Sequence, residues 1–408
     1  MKQLIHGNTT FYANNDTYHV FSMGGCDFYT ANIPRSYIPV PGVISRMKCL
    51  QQDAPLGGRS RTQTVRLNGI NTTITDVTST GEYESHDYVH TVDLVDGNYI
   101  SLYSDISSSR TDGGEATISL LFESENDYDS LLLTHAACGT SGAYTKYIPV
   151  MSAEADIILN TYDTAKMYMP GDFTISNMIA YSVVAPGAGY NNVVTLMKNG
   201  VDQALAVTIN GTDKLGQNAV NSVAFTRGDT ICIKLVGDGG AACNKICVSF
   251  KVTAANANEY LILGNTCYNA YMYSSATYKY WLHGLPNTWL FTSGPTGFDS
   301  LEFYLRNPLI NLVTAPGAGT GNNYELFSNE ASIASFNISD TNTQYDGSDE
   351  IIIPAELSYD IRRTPVGAPA NSQVYWSFIA SLVGSGPAPS AGKAFGQNSR
   401  SLIFNGFI

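Results

Sequence analysis

Apolar and polar residues alternate in short runs along this chain. In TQTVRLNG, Val65 and Leu67 alternate with Thr64, Arg66 and Asn68, the period-two pattern of a strand with one buried face. Long helical periodicity is absent. β-Branched and aromatic residues are frequent, and turn residues recur at the short intervals expected of sandwiches. The pattern predicts an all-β protein.

The same order of elements occurs three times. DAPLGG, VAPGAG and TAPGAG surround Ala54-Pro55, Ala185-Pro186 and Ala315-Pro316, about 130 residues apart, a spacing of domain rather than solenoid size. A strand-like run follows each: TQTVRLNG to Gly69, VVTLMKNG to Gly200 and NYELFSNE to Glu330. Asn-Gly suits a type I′ hairpin turn; Asn329-Glu330 weakens that signal in the third copy. TTITD, LAVTIN and ASFNISD supply the returning strand, and ATISLLFES, KICVSFKVT and QVYWSFIAS close each unit. YHVFSMGGC, SLLLTHAAC and YLILGNTC read as the opening strands, ending at Cys26, Cys138 and Cys267.

Each unit therefore reads as an antiparallel β-sandwich of roughly seven to nine strands, with a jelly roll as the best-fitting variant for about 110–130 residues. The expected division is an arm over residues 1–16, three tandem sandwich domains over 17–125, 126–255 and 256–383, and a linker with an apolar tail over 384–408. The links SENDYDS and TAANANEY are short, which predicts fixed relative geometry. The tail ends in Leu402-Ile403-Phe404 and Phe407-Ile408. It reads either as a last strand of the third unit or as a segment that docks on a neighbour.

Composition narrows the partners. Charged residues make up 14% and hydrophobic residues 44% of the 408 positions, so cores are affordable and the polar surface is largely uncharged. The formal net charge is −13, with no basic run. Phosphate neutralisation needs clustered Lys and Arg, so neither nucleic acid nor an anionic membrane is an expected partner. No stretch reaches the length of a spanning helix, and MKQLIHGNTTFYANN lacks the apolar core of a secretion signal. The seven cysteines read as free, buried, small hydrophobes. Cys243 and Cys247 lack the second pair that a closed zinc site needs.

Candidate chemistry is sparse. Glu82, Glu84, His86, Tyr88 and His90 would share one face of an extended strand. They read as a solvated strand face, with a divalent-ion site as the competing reading. Asp112 and Glu115 read as part of a solvated turn. No nucleophile elbow, zinc-protease helix or phosphate loop is present, so no catalytic residue and no cofactor is expected. The third unit carries aromatic residues Tyr271, Tyr273, Tyr278, Tyr280, Trp281 and Trp289, either core and cross-strand rings or a binding surface for a protein partner or glycan.

The stretch from Phe173 to Gly239, with its I-S-N strand, A-P-G-x-G loop, T-L-x-K-N-G hairpin and G-D-x-I-x-I strand, resembles a domain pattern of virion proteins in tailed phages and large DNA viruses. The match is partial over Gly42–Tyr103 and weaker over Phe298–Arg363. The resemblance implies a jelly-roll-like sandwich in a capsid decoration, minor capsid or appendage protein, assembled in the host cytoplasm. Its implied partners are other virion proteins and copies of itself, with a trimer as the implied form. An adhesive or glycan-binding fibre module on the host-attachment apparatus is the alternative.

Overall fold

Among the described residues the alternating runs are strands, and they assort into six antiparallel sheets. The computed structural model describes residues 1–10, 17–19, 21, 28–29, 35–51, 55, 60–82, 84–106, 115–150, 159–265, 278–280, 302–328, 331–354 and 359–382. The C-terminal tail, Asn329-Glu330, Cys26 and Cys267 lie outside the described residues.

The first stretch of chain supplies β1 (Lys2–Thr10), β2 (Thr17–His19), β3 (Phe28–Tyr29), β4 (Ser36–Tyr37), β5 (Gly42–Gln51), β6 (Arg61–Leu67), β7 (Ile70–Thr78), β8 (Glu84–Leu94), β9 (Tyr99–Ile106) and β10 (Glu115–Ser124). They form a sheet β1-β10-β5-β8 and a sheet β2-β9-β6-β7, with β3 on β2 and β4 on β9. The second stretch supplies β11 (Asp129–Ser141), β12 (Tyr144–Ile148), the short helix α1 (Tyr162–Ala165), β13 (Met167–Tyr168), β14 (Phe173–Ser182), β15 (Asn191–Lys198), β16 (Val201–Asn210), β17 (Leu215–Phe225), β18 (Thr230–Gly237) and β19 (Ala242–Ala254). Its sheets run β11-β19-β14-β17 and β12-β18-β15-β16.

The third stretch supplies β20 (Tyr260–Asn265), β21 (Tyr278–Tyr280), β22 (Phe303–Leu312), β23 (Gly317–Ser328), β24 (Ala331–Asp340), β25 (Gln344–Asp346), β26 (Glu350–Ile353), β27 (Tyr359–Val366) and β28 (Val374–Leu382). Its sheets run β20-β28-β22-β25, with β26 also on β22, and β21-β27-β23-β24. If the principal strands of each unit are counted in chain order, all three units have the same two orders, 1-8-3-6 and 2-7-4-5. Two four-stranded antiparallel sheets linked by such crossings form a jelly roll. The chain is three of them in tandem.

Local chemistry explains the shared geometry. Asn68 and Gly69 have φ of 51° and 82°, and Asn199 and Gly200 have 51° and 78°, the doubly positive pair of a type I′ turn. Each asparagine also fastens its hairpin to the sandwich. Asn68 Oδ1 accepts from the Tyr99 N–H at 3.0 Å and Asn199 Oδ1 from the Thr230 N–H at 2.7 Å. A second repeated device lies in the third principal strand, where Arg46, Asn177 and Asn307 have φ of 54°, 44° and 54°. The pairing register shifts at each of these residues, so a bulge bends the strand at the same place in every unit.

Two sequence expectations change. Residues Lys2–Thr10 are not an arm. They are β1, paired with β10 from Lys2↔Glu123 to Thr10↔Glu115. Leu4 is buried in one apolar cluster and Ile5 in another, so both faces of the strand are covered and no alternation shows in the sequence. It follows that β1, not YHVFSMGGC, is the counterpart of β11 and β20. Within YHVFSMGGC, Tyr18 and His19 belong to β2, in the opposite sheet.

Candidate functional site

The predicted histidine and glutamate face does not converge. Glu82 accepts from the Ser79 N–H at 2.9 Å, Glu84 lies 3.6 Å from Lys48, and His86 stacks on Tyr88 with ring centroids 4.4 Å apart. His90 turns back to Asp87, its Nδ1 2.9 Å from Oδ2. Among the described residues no group of three or more His, Cys, Asp or Glu side chains is placed to hold a metal. Cys49, Cys138, Cys232, Cys243 and Cys247 are free and buried. Burial pushes the Cys247 thiol up to about 12, which makes it a poor nucleophile.

Of the aromatic candidates, Tyr278 and Tyr280 lie on edge strand β21, opposite Arg363 and Ile361 of β27. Tyr271, Tyr273, Trp281, Trp289 and Asp112 lie outside the described residues, and Glu115 begins β10.

Asp87 has a structural use. Its Oδ1 accepts from the N–H groups of Val89 and His90, each at 3.1 Å, and its Oδ2 accepts from the Thr75 N–H at 3.0 Å. Burial opposes ionisation there, but these hydrogen bonds outweigh it and hold the carboxyl below the ordinary range. Asn218 does the same in the second unit, accepting from the Val220 and Asn221 N–H groups at 3.3 and 3.1 Å. Each cap closes a bulge in an edge strand, β8 or β17, where the pairing register breaks, and the valine on it is strongly exposed, Val89 at 83% and Val220 at 92%.

One core layer distinguishes the first unit from the second. Across β9, β6 and β7, Ser104, Gln63 and Asp76 are paired neighbours, and all are buried. The matching positions of the second unit, Leu235, Val194 and Val207, are apolar. Burial raises the Asp76 carboxyl to about 6, against hydrogen bonding by Ser85. A carboxyl raised in the folded state contributes stability that is fully present below its unfolded value near 3.8 and is lost as pH rises through about 6. The first unit should therefore melt at a higher temperature at pH 5 than at pH 7. Asp76→Asn should flatten that slope. A melting profile of the parent protein that is level between these pH values would contradict the assignment.

The best-built contacts are those between units, and they repeat. Asn177 Nδ2 donates to the Pro39 carbonyl at 2.7 Å, and Asn307 Nδ2 donates to the Pro170 carbonyl at 3.3 Å. Pro39 follows β4 and Pro170 follows β13, two short strands that hold the same place on β9 and β18. The closing strand β19 packs on β4, and β28 packs on β13. Arg35 reinforces the first junction, with its guanidinium 4.5 Å from the Tyr99 ring and 5.2 Å from the Tyr181 ring. Arg227 reinforces the second, donating to the Pro170 carbonyl at 3.0 Å and bonding Asp346 and the Gly347 carbonyl of the third unit. The I-S-N element is visible in the sequence without its role. The visible signal was the recurrence of Arg46, Asn177 and Asn307 at matching places in VISRM, TISNM and YLRNP.

No protein-family model matches this chain, and no curated protein matches it. Solved structures align with it at low similarity. A structure of infectious bursal disease virus, Gx strain, is 9% identical with a TM-score of 0.21, covering 94% of this chain and 80% of that one. The archaeal-virus protein described under the words triple jelly roll fold and turret assembly is 10% identical with a TM-score of 0.18, covering 93% and 90%. PNGF-II is 8% identical with a TM-score of 0.21, covering 83% and 100%. Superpositions this shallow carry no argument; the chain's own strand order is what makes it a protein of three tandem jelly rolls.

Proposed function

We propose that the protein is a structural component of a virus particle, working through protein–protein assembly as a capsid decoration, minor capsid or appendage subunit. The observation that supports this reading is the repetition of one jelly roll three times, each joined to the next through the same pair of surfaces. Jelly rolls recur in capsid and lectin domains. Since one fold hosts many activities, the weight falls on the junctions, which make a fixed multi-lobed body. The resemblance of Phe173–Gly239 to a virion domain pattern points the same way. The exposed bulges at Val89 and Val220 are the surfaces we assign to neighbours, and Trp281 and Trp289 remain the candidates for a glycan or protein partner.

The test is quantitative mass spectrometry of purified particles from the virus that encodes the chain. A fixed copy number per particle is expected. Presence in infected cells but absence from particles would overturn the proposal. Glycan binding by the isolated protein that is lost on substitution of Trp281 or Trp289 would favour the adhesive alternative instead.

A further inference from the structure

We infer that the three units close on themselves, so that one polypeptide forms a ring and the surface joining its units is used up within the molecule. This stands whether or not the protein belongs to a particle. The two junctions are head-to-tail: the Pro39 and Pro170 corners of one unit meet the Asn177 and Asn307 bulges of the next. A head-to-tail contact either propagates into an open row or closes into a ring.

Four observations select closure. First, β28 of the third unit packs on β1 of the first, as β19 of the second packs on β20 of the third. Second, Met1, Leu4 and Leu121 of the first unit share an apolar cluster with Tyr260, Ile262 and Trp376 of the third. Third, the two inter-unit links meet, the Asn258 N–H donating to the Asp127 carbonyl at 2.6 Å. All three units therefore hang from one corner.

Fourth, the closing strand of every unit is covered on both faces. Ile246 to Phe250 of β19 and Val374 to Ala380 of β28 are buried at every position. In those units the outer face lies against the preceding unit. In the first unit, Ile118 to Phe122 of β10 are equally buried, Ser119 at 5% and Leu121 at 4%. The third unit is the cover that the cluster around Leu121 provides.

The partner for the head-to-tail surface is thus the chain's own third unit, not a second copy. The protein is a monomer that behaves as a preassembled trimer, and the trimer expected from resemblance becomes unnecessary. Native mass spectrometry with small-angle X-ray scattering tests this on the full chain. One chain of 44.0 kDa is expected, with a radius of gyration of about 22 Å, against about 28 Å for three such domains in a row. The larger radius, or a stable trimer mass, would overturn the inference. Leu121→Asp should open the seam, raise the radius and cause concentration-dependent association through the freed surfaces. A folded Leu121→Asp protein with unchanged radius and mass would also overturn it. If that variant does not fold, the parent measurements decide alone.

Discussion

Trp376→Ala should destabilise the third unit by about 3–5 kcal/mol, the range for removing a fully enclosed aromatic side chain. Trp376 is 1% exposed on β28 and shares a cluster with Phe303, Tyr324, Phe336 and Phe378. Its indole lies across Gly264, its paired neighbour on β20. A β-carbon at Gly264 would fall inside the van der Waals shell of indole atoms Nε1 and Cε2. Gly264→Ala should therefore also destabilise the unit, by about 1–3 kcal/mol, through overpacking. The two effects should not add. With the indole gone, the extra methyl has room, so the double variant should be more stable than the sum of the single changes predicts. Hydrogen-exchange mass spectrometry over residues 260–382 would read both losses. Strict additivity would show that the glycine and the indole are not a coupled pair.

Asn199→Ala should cost about 2–4 kcal/mol in the second unit. Two separate losses combine. The residue has φ of 51°, and placing a side chain other than Asn or Gly there costs roughly 1–2 kcal/mol. Its amide also donates to Asp229 Oδ1 at 2.7 Å and accepts from the Thr230 N–H and Oγ1 at 2.7 and 3.2 Å. Each such bond is worth about 0.5–1.5 kcal/mol. Asn199→Gly keeps the backbone conformation and loses only the hydrogen bonds, so its cost should be clearly smaller. Urea unfolding of both variants separates the contributions. Equal costs would remove backbone conformation from the explanation.

What the sequence showed and what it hid follow from the same physics. Hairpins such as Leu67 to Ile70 and Lys198 to Val201 were legible because Asn-Gly is a local signal and one face of each strand meets water. The strand at Lys2–Thr10 was not legible, because Leu4 and Ile5 are buried on opposite sides. A sheet order of 1-8-3-6 depends on crossings over distances that no local pattern records. The junction residues were partly visible. Arg46, Asn177 and Asn307 recur at one place, and such recurrence marks a positive-φ bulge. That two of them reach the neighbouring unit depends on how the units pack, which no local pattern records. The buried row Ser104, Gln63 and Asp76 was hidden for the opposite reason: polar residues in a strand read as its wet face, and here they point into the core.

A density map of the assembled particle at a resolution that traces strands tests the whole account most directly. It should show three adjoining two-sheet lobes belonging to one chain, each with its closing strand between the first and third strands of the unit. Three lobes drawn from three separate chains, or no density for this chain on the particle, would contradict it.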